Sequence, residues 1–216
     1  MSNSQCDNKK EEILNAAEKE FILHGYAGAR TVAIAKRAGV GHPLLHYHFK
    51  TKKDLFKFVV LRKIDLLRQS VLMSWDESDR SFPEKLSATI GKHFDFVRDN
   101  ADYLRFQLQE MEQYPELFTD IRTKAAEEMN PFLEKLQAEI DRAAGRGEIR
   151  PIDARLLLED IISLNLLILT AGPIVRMMDQ TECDEQFYER RKSENILLIT
   201  HRLTQQPNPQ TITLNP

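Results

Sequence analysis

An all-α protein is predicted, with three short helices leading a body of six or seven longer ones. Three observations predict it. Apolar residues recur at helical spacing through most of the chain, no convincing period-two alternation interrupts them, and Gly25, Gly39 and Gly145 to Gly147 fall where the periodicity stops. At 216 residues, with 42% hydrophobic and 29% charged residues, the chain can bury a core and is not of disordered composition.

The first helix carries Ile13, Leu14, Ala17 and Phe21 on one stripe, with Gly25 as its stop. Thr31 is placed as the N-cap of a second helix over 32–38, closed by Gly39. After Val40-Gly41 a third helix runs from His42 to His48, with Pro43 in its first turn, where its missing N–H costs nothing. Thr51 to Asp54 has the form of a capping box and opens a long fourth helix carrying Leu55, Val59, Leu67 and Val71. Trp75 to Ser81 reads as a loop, and Ser81 to Glu84 caps a helix with Leu86, Ile90, Phe94 and Val97 on one stripe. Helical patterning continues from Tyr103 to Met111 and from Leu117 to Ala144, where Pro131 is expected to kink or break it. Two apolar helices, over 153–178 and 184–203, close the fold, and a tail over 205–216 has little to bury. The expected division is a head at 1–55, a body at 56–204 and that tail.

The formal charge of −3 is unevenly spread. Residues 1–60 hold 10 Lys/Arg against 6 Asp/Glu, so +4, and the remainder holds 20 against 27, so −7. A basic head on an acidic body suits a polyanionic partner for the head alone. The longest apolar run, Ile161 to Val175, is broken by Ser163, Asn165, Thr170 and Gly172-Pro173, so no membrane partner is expected. The polar N-terminus has no apolar h-region, and Cys6 and Cys183 form no CxxC, so a cytoplasmic location with reduced thiols is expected.

Helix, tight turn at Gly39-Val40-Gly41, then helix has the dimensions of a helix-turn-helix. In that motif the second helix enters the major groove, and residues near its N-terminus meet base edges. His42, Pro43, Leu44 and His46 stand there, with Tyr47 beside them and Lys50, Lys52 and Lys53 beyond. Two other readings compete for the histidines. His42 and His46 share a helical face, as paired zinc ligands do, which would make the His42, His46, His48 cluster a metal-dependent sensor or enzyme site. No third and fourth ligand is evident nearby, so no metal or cofactor is expected. No nucleophile–base pair or phosphate-cradling glycine loop supports catalysis, so an enzyme is not expected.

Residues 10–58, through "EFILHGYAGART", "VAIAKRAGVG" and "LLHYHFKTKKDLF", resemble the DNA-binding domain of the tetracycline-repressor (TetR) family of bacterial regulators. The resemblance implies an N-terminal three-helix helix-turn-helix DNA-binding domain followed by a C-terminal helical ligand-binding and dimerisation domain. It implies that Thr31 contacts a phosphate and that His42, Pro43 and Leu44 read bases. It also implies that Tyr47 and His48 touch backbone and sometimes bases, and that Lys52 anchors the next helix to a phosphate. Phe49 is expected in the core. Two positions depart from the family pattern: Gly41 replaces a capping Ser or Thr, and His46 stands where a Tyr is usual, leaving His46 or Tyr47 for that contact.

Specific binding by such a small reader normally needs two copies on a palindromic operator. The last two helices, apolar on more than one face, supply Leu157, Ile161, Leu164, Ile168, Ile196 and Leu203 as expected homodimer contacts. The resemblance adds a four-helix bundle made of these helices and a small-molecule effector that releases DNA, so a homodimeric repressor of operator DNA is expected. Phe94, Tyr103, Phe106, Met111, Phe118 and Phe132 suit an apolar or aromatic effector, with Asn165 and Thr170 to orient it. The alternative within the same class is a DNA-binding regulator without an effector.

Overall fold

The computed structural model describes residues 3–76, 80–179 and 185–204. Among them the chain is helical with no strand: α1 Asn3–Gly28, α2 Thr31–Arg37, α3 His42–His48, α4 Lys52–Asp76, α5 Phe82–Asp99, α6 Ala101–Gln113, α7 Thr119–Gly145, α8 Ala154–Asp179 and α9 Glu185–Thr204. The predicted tail, 205–216, and Cys183 lie outside the described residues. No helix among the described residues is long and apolar enough to cross a membrane.

Local chemistry accounts for most boundaries. Gly25 takes φ 66°, which interrupts α1 one turn before its end. The predicted capping box is complete: Thr51 N–H donates to Asp54 Oδ2 at 3.1 Å and Asp54 N–H donates to Thr51 Oγ1 at 3.0 Å. Ser81 and Glu84 repeat the device, with Ser81 N–H on Glu84 Oε2 at 2.9 Å. The two hydrogen bonds from Ser81 hold the Glu84 carboxyl below its ordinary range.

Three boundaries differ from the sequence reading. Thr31 does not cap α2; it is the first helical residue, after an extended Arg30 with no side-chain cap. Its hydroxyl instead lies 3.1 Å from Nε2 of His42. Trp75 is helical and buried rather than in a loop, because its indole packs edge-on against Phe82 at 5.4 Å. Helix α7 runs unbroken through Pro131, which sits on the exposed side while Leu133, Leu136 and Ile140 are buried.

Compaction divides the chain into two units, Met1–Arg68 with Asp99–Glu128 and Gln69–Arg98 with Met129–Pro216. The division at residue 55 expected from the sequence is one of role, not of compaction. In the first unit Phe21, Phe49 and Phe56 share one core with Tyr103, Phe106, Phe118 and Ile121, so α6 and the start of α7 pack with the head. Phe56 meets Phe118 edge-on at 5.6 Å and Phe106 at 6.1 Å. Ionic ties reinforce α1 against α4, with Arg62 and Lys63 both on the half-buried Glu18 at 2.9 and 2.8 Å. In the second unit Trp75, Phe82, Leu86 and Ile90 pack with Leu136, Ile140, Leu157, Ile161, Ile199 and Leu203.

Candidate nucleic-acid interface

The reading head is built on a helix ending. Gly39 takes φ 63°, Gly39 N–H donates to Lys36 O at 3.2 Å and Val40 N–H to Ala35 O at 3.0 Å, which together form a Schellman motif. The chain therefore leaves α2 sharply and enters α3 after the four residues Ala38 to Gly41. Gly41 is the N-cap of α3, extended at φ −70°, ψ 143°, and has no side chain to cap with. Pro43 follows in the first turn, and Leu44 and Leu45 N–H both donate to the Gly41 carbonyl. Leu45 and Phe49, both about 1% exposed, anchor the inner side of α3. Phe49 N–H closes the helix on Leu45 O at 2.8 Å.

The outer side carries the predicted readers. Gly41, Pro43, His46 and Tyr47 are exposed, and His42, Leu44 and His48 are half-buried. Tyr47 is 77% exposed, far more than an aromatic ring keeps when packing alone decides its place. Its ring lies edge-on to His48 at 5.4 Å, and His42 lies edge-on to His46 at 4.4 Å. Among the described residues no three metal-ligating side chains come together.

Lys52 has a defined structural partner set. Its Nζ donates to the carbonyls of Tyr26 at 2.8 Å, Ala27 at 3.2 Å and Ala29 at 3.2 Å, and sits 4.7 Å from the Tyr26 ring centroid. An ammonium has three protons, so these carbonyls take them all, and Lys52 closes the C-terminal end of α1. A concave face of about 800 Å³ lies beside it, lined by Arg30, Thr31, Val32, Lys36, His46 and Lys52. Arg30, Val32 and Lys36 were missed by motif reasoning. Their signal was the positive surplus of the first sixty residues and, for Val32, 64% exposure of an apolar side chain, which only the structure reveals.

The residues predicted to meet an effector are dispersed. Tyr103, Phe106 and Phe118 belong to the core of the first unit, and Phe132 packs against that of the second. Phe94 is 1% exposed, whereas Met111 is 38% exposed. Burial holds the Tyr103 hydroxyl well above its ordinary pKa, and among the described residues its oxygen has no hydrogen-bond partner. The Thr170 side chain lies outside the described residues. Asn165 is fully buried and engaged, with Nδ2 3.1 Å from Ile90 O and 2.9 Å from His93 Nδ1, and Oδ1 2.9 Å from Asn195 Nδ2.

The predicted dimer contacts also turn inward. Leu157, Ile161 and Leu203 are 1%, 4% and 2% exposed in the chain's own core, with Leu164 and Ile196 packed against it, while Ile168 is half-buried. Among the described residues, the large apolar side chains that α8 and α9 leave in solvent are Leu156, Leu167, Ile174, Met177, Leu197 and Leu198. A helix apolar nearly all round has two candidate faces, and spacing alone selected the inner one.

Residues 13–59 match the family model of bacterial regulatory proteins, tetR family. The transcriptional activator FasR of Mycolicibacterium smegmatis is 33% identical over 103 residues, which is 46% of this chain and 45% of FasR. IcaR of Staphylococcus aureus, the negative regulator of the biofilm operon icaADBC, is 28% identical over 127 residues, 58% of this chain and 66% of IcaR. The chain thus aligns with less than two thirds of either relative. AibR, solved with isovaleryl coenzyme A and operator DNA, has the same fold at TM-score 0.65 and 18% identity, covering 88% of this chain and 97% of AibR. FasR and IcaR are both regulators of transcription. Residues 13–59, the helix-turn-helix head, are thus similar to the DNA-reading head of the tetR family of bacterial regulatory proteins.

Proposed function

We propose that the chain is a cytoplasmic, homodimeric repressor that reads a palindromic operator with α3 and leaves it when the body takes a small apolar or aromatic effector. The observation that carries the reading is the outer side of α3, where Tyr47 is 77% exposed and His46 is in solvent, on a helix fixed inward by Leu45 and Phe49. His42, Pro43 and Leu44, near the start of α3, are assigned to base edges, and His46, Tyr47 and His48 to the flanking backbone. Exposed Arg30, Lys36, Lys50 and Lys53 supply charge for phosphates, while Lys52 and Gly41 hold the geometry. In functional terms residues 1–55 are the reader, 56–204 the dimerising and effector-binding body, and 205–216 a tail.

The effector arm is supported by the aromatic content of the interior and by the ligand bound to the similar AibR. Occupying an operator blocks polymerase, and an effector preferring a conformer with mismatched head spacing shifts the population off DNA. Selection of duplexes from a random pool by the purified chain tests the reading. A two-fold symmetric sequence, bound with a steep salt dependence, is the expected result. Failure to enrich any sequence over non-specific binding overturns it.

A further inference from the structure

We propose that Thr31 is a specificity-determining residue: it fixes the imidazole of His42 so that Nδ1–H, a donor, faces the groove and selects guanine. The inference rests on the reading of α3 as the helix that enters the major groove. Thr31 and His42 are the first residues of α2 and α3, and Thr31 Oγ1 lies 3.1 Å from His42 Nε2 across the turn. The Thr31 hydroxyl does not cap α2, whose N-cap is Arg30, so it is left for this contact. Among the described residues, Nε2 is the polar atom that this hydroxyl reaches, and in the proposed contact the hydroxyl donates and Nε2 accepts.

One proton decides the chemistry. A hydroxyl donating to Nε2 requires that nitrogen to be bare, and the neutral ring then carries its own proton on Nδ1. The ring of His46, edge-on at 4.4 Å, limits rotation of the His42 ring. The free nitrogen is therefore a donor. In the major groove guanine offers two adjacent acceptors, N7 and O6, whereas cytosine offers an amino donor at the corresponding place. The assignment competes directly with a phosphate contact by Thr31, because a hydroxyl cannot give the same proton to His42 and to a phosphate.

The test uses the full chain as wild type, Thr31→Val, Thr31→Ser and His42→Ala. Nitrogen-15 spectroscopy of the free protein reads the tautomer without DNA, and a bare Nε2 with a protonated Nδ1 is expected for His42. In duplex selection, one position per half-site should favour guanine, identified as the position whose preference His42→Ala erases. Thr31→Val should lose that preference by about tenfold with the salt slope unchanged, and Thr31→Ser should retain it. A proton on Nε2 overturns the proposal. So does a Thr31→Val variant that weakens all sequences alike with a slope lower by about one, the mark of a phosphate contact. A wild-type chain that enriches no sequence removes the underlying reading of α3 as well, and the spectroscopic result separates the two failures.

Discussion

Asn165 can point only one way, and that orientation decides the protonation of His93. Asn195 Nδ2 lies 3.2 Å from the Leu164 carbonyl, which can only accept, so the same nitrogen must donate to Asn165 Oδ1. Asn165 Nδ2 lies 3.1 Å from the Ile90 carbonyl and must likewise donate there and to Nδ1 of His93. Arg191, donating to Asn195 Oδ1 at 2.9 Å, fixes the other end. His93 is therefore an acceptor at Nδ1, and a charged ring would set N–H against N–H. Its pKa is lowered from 6.5 to about 4 by desolvation, which agrees with the hydrogen-bond directions. Because the folded pKa is depressed, the unfolded chain binds the extra proton. Stability is then full above pH 6.5, declines as pH falls from there, and has lost this contribution once pH passes below about 4. The interval corresponds to about 3 kcal/mol. Urea midpoints between pH 7 and pH 4 should show the decline in wild type and a flatter profile in His93→Gln, whose amide oxygen can still accept from Asn165. Equal profiles for the two proteins would sink the assignment. Lys52 makes a second case at this scale. Lys52→Met removes an ammonium bonded to three carbonyls and should cost about 2 kcal/mol in urea unfolding, since hydrogen bonds to charged groups are the strong ones. An unchanged midpoint would return Lys52 to a purely phosphate-facing role.

Helix endings were the most legible part of the fold, because they depend on short-range chemistry written in a few adjacent residues. The Thr51–Asp54 box, the Gly39 turn, and α3 from His42 to His48 were all readable from residue type and spacing. Thr31 was expected as the N-cap of α2 but is its first helical residue and lies against His42; that contact joins two helices, and spacing is silent on it. Trp75 was missed because Ser74 and Asp76 beside it in sequence are polar, and packing with Phe82 and the rest of the second unit's core buries it. Pro131 was expected to kink or break α7. It lies on the solvent side, where water can take the freed carbonyl, and the buried stripe holds the helix together. The glycine turns give a graded prediction. A Cβ at Gly39 meets nothing within 4 Å, so Gly39→Ala carries only the positive-φ cost of about 1–2 kcal/mol, and Gly39→Asn should cost less. At Gly25 a Cβ would lie 3.0 Å from Glu110 Oε1, whose carboxylate accepts Tyr26 N–H, so Gly25→Ala adds a clash to the strain. The order of thermal midpoints should be wild type, Gly39→Asn, Gly39→Ala, then Gly25→Ala. A Gly25→Ala protein as stable as Gly39→Ala would mean that Glu110 yields freely.

For the whole molecule, the question is which apolar face of α8 and α9 the proposed second copy would cover. Sequence pattern could not separate the faces, because both are apolar, and only burial within one chain assigns the inner one. Leu157 is 1% exposed, whereas Leu156, its neighbour, is 53% exposed, so adjacent leucines have opposite roles. On α8 Leu156, Leu167 and Ile174 are spaced by eleven and seven residues, both close to whole turns, and form one outward stripe. Leu197 and Leu198 on α9, 45% and 52% exposed, add to the apolar surface of these helices. Apolar surface arranged this way marks an interaction site, and in the proposed dimer a two-fold partner would present the same stripe in return. The double variant Leu167→Glu, Leu197→Glu should therefore keep its helical circular dichroism, since both side chains stand in solvent, yet sediment as a monomer. With one reader per molecule, operator affinity should fall by at least about a hundredfold. Leu157→Asp should behave differently: a charge placed in the core costs several kcal/mol and unfolds the chain, whatever its oligomeric state. If the double variant still sediments as a dimer while Leu157→Asp unfolds, the core assignment stands and the outward stripe serves some other partner. If both variants unfold, α8 and α9 are stable only as part of the dimer, and the apolar stripe is a condition of folding as much as of DNA binding.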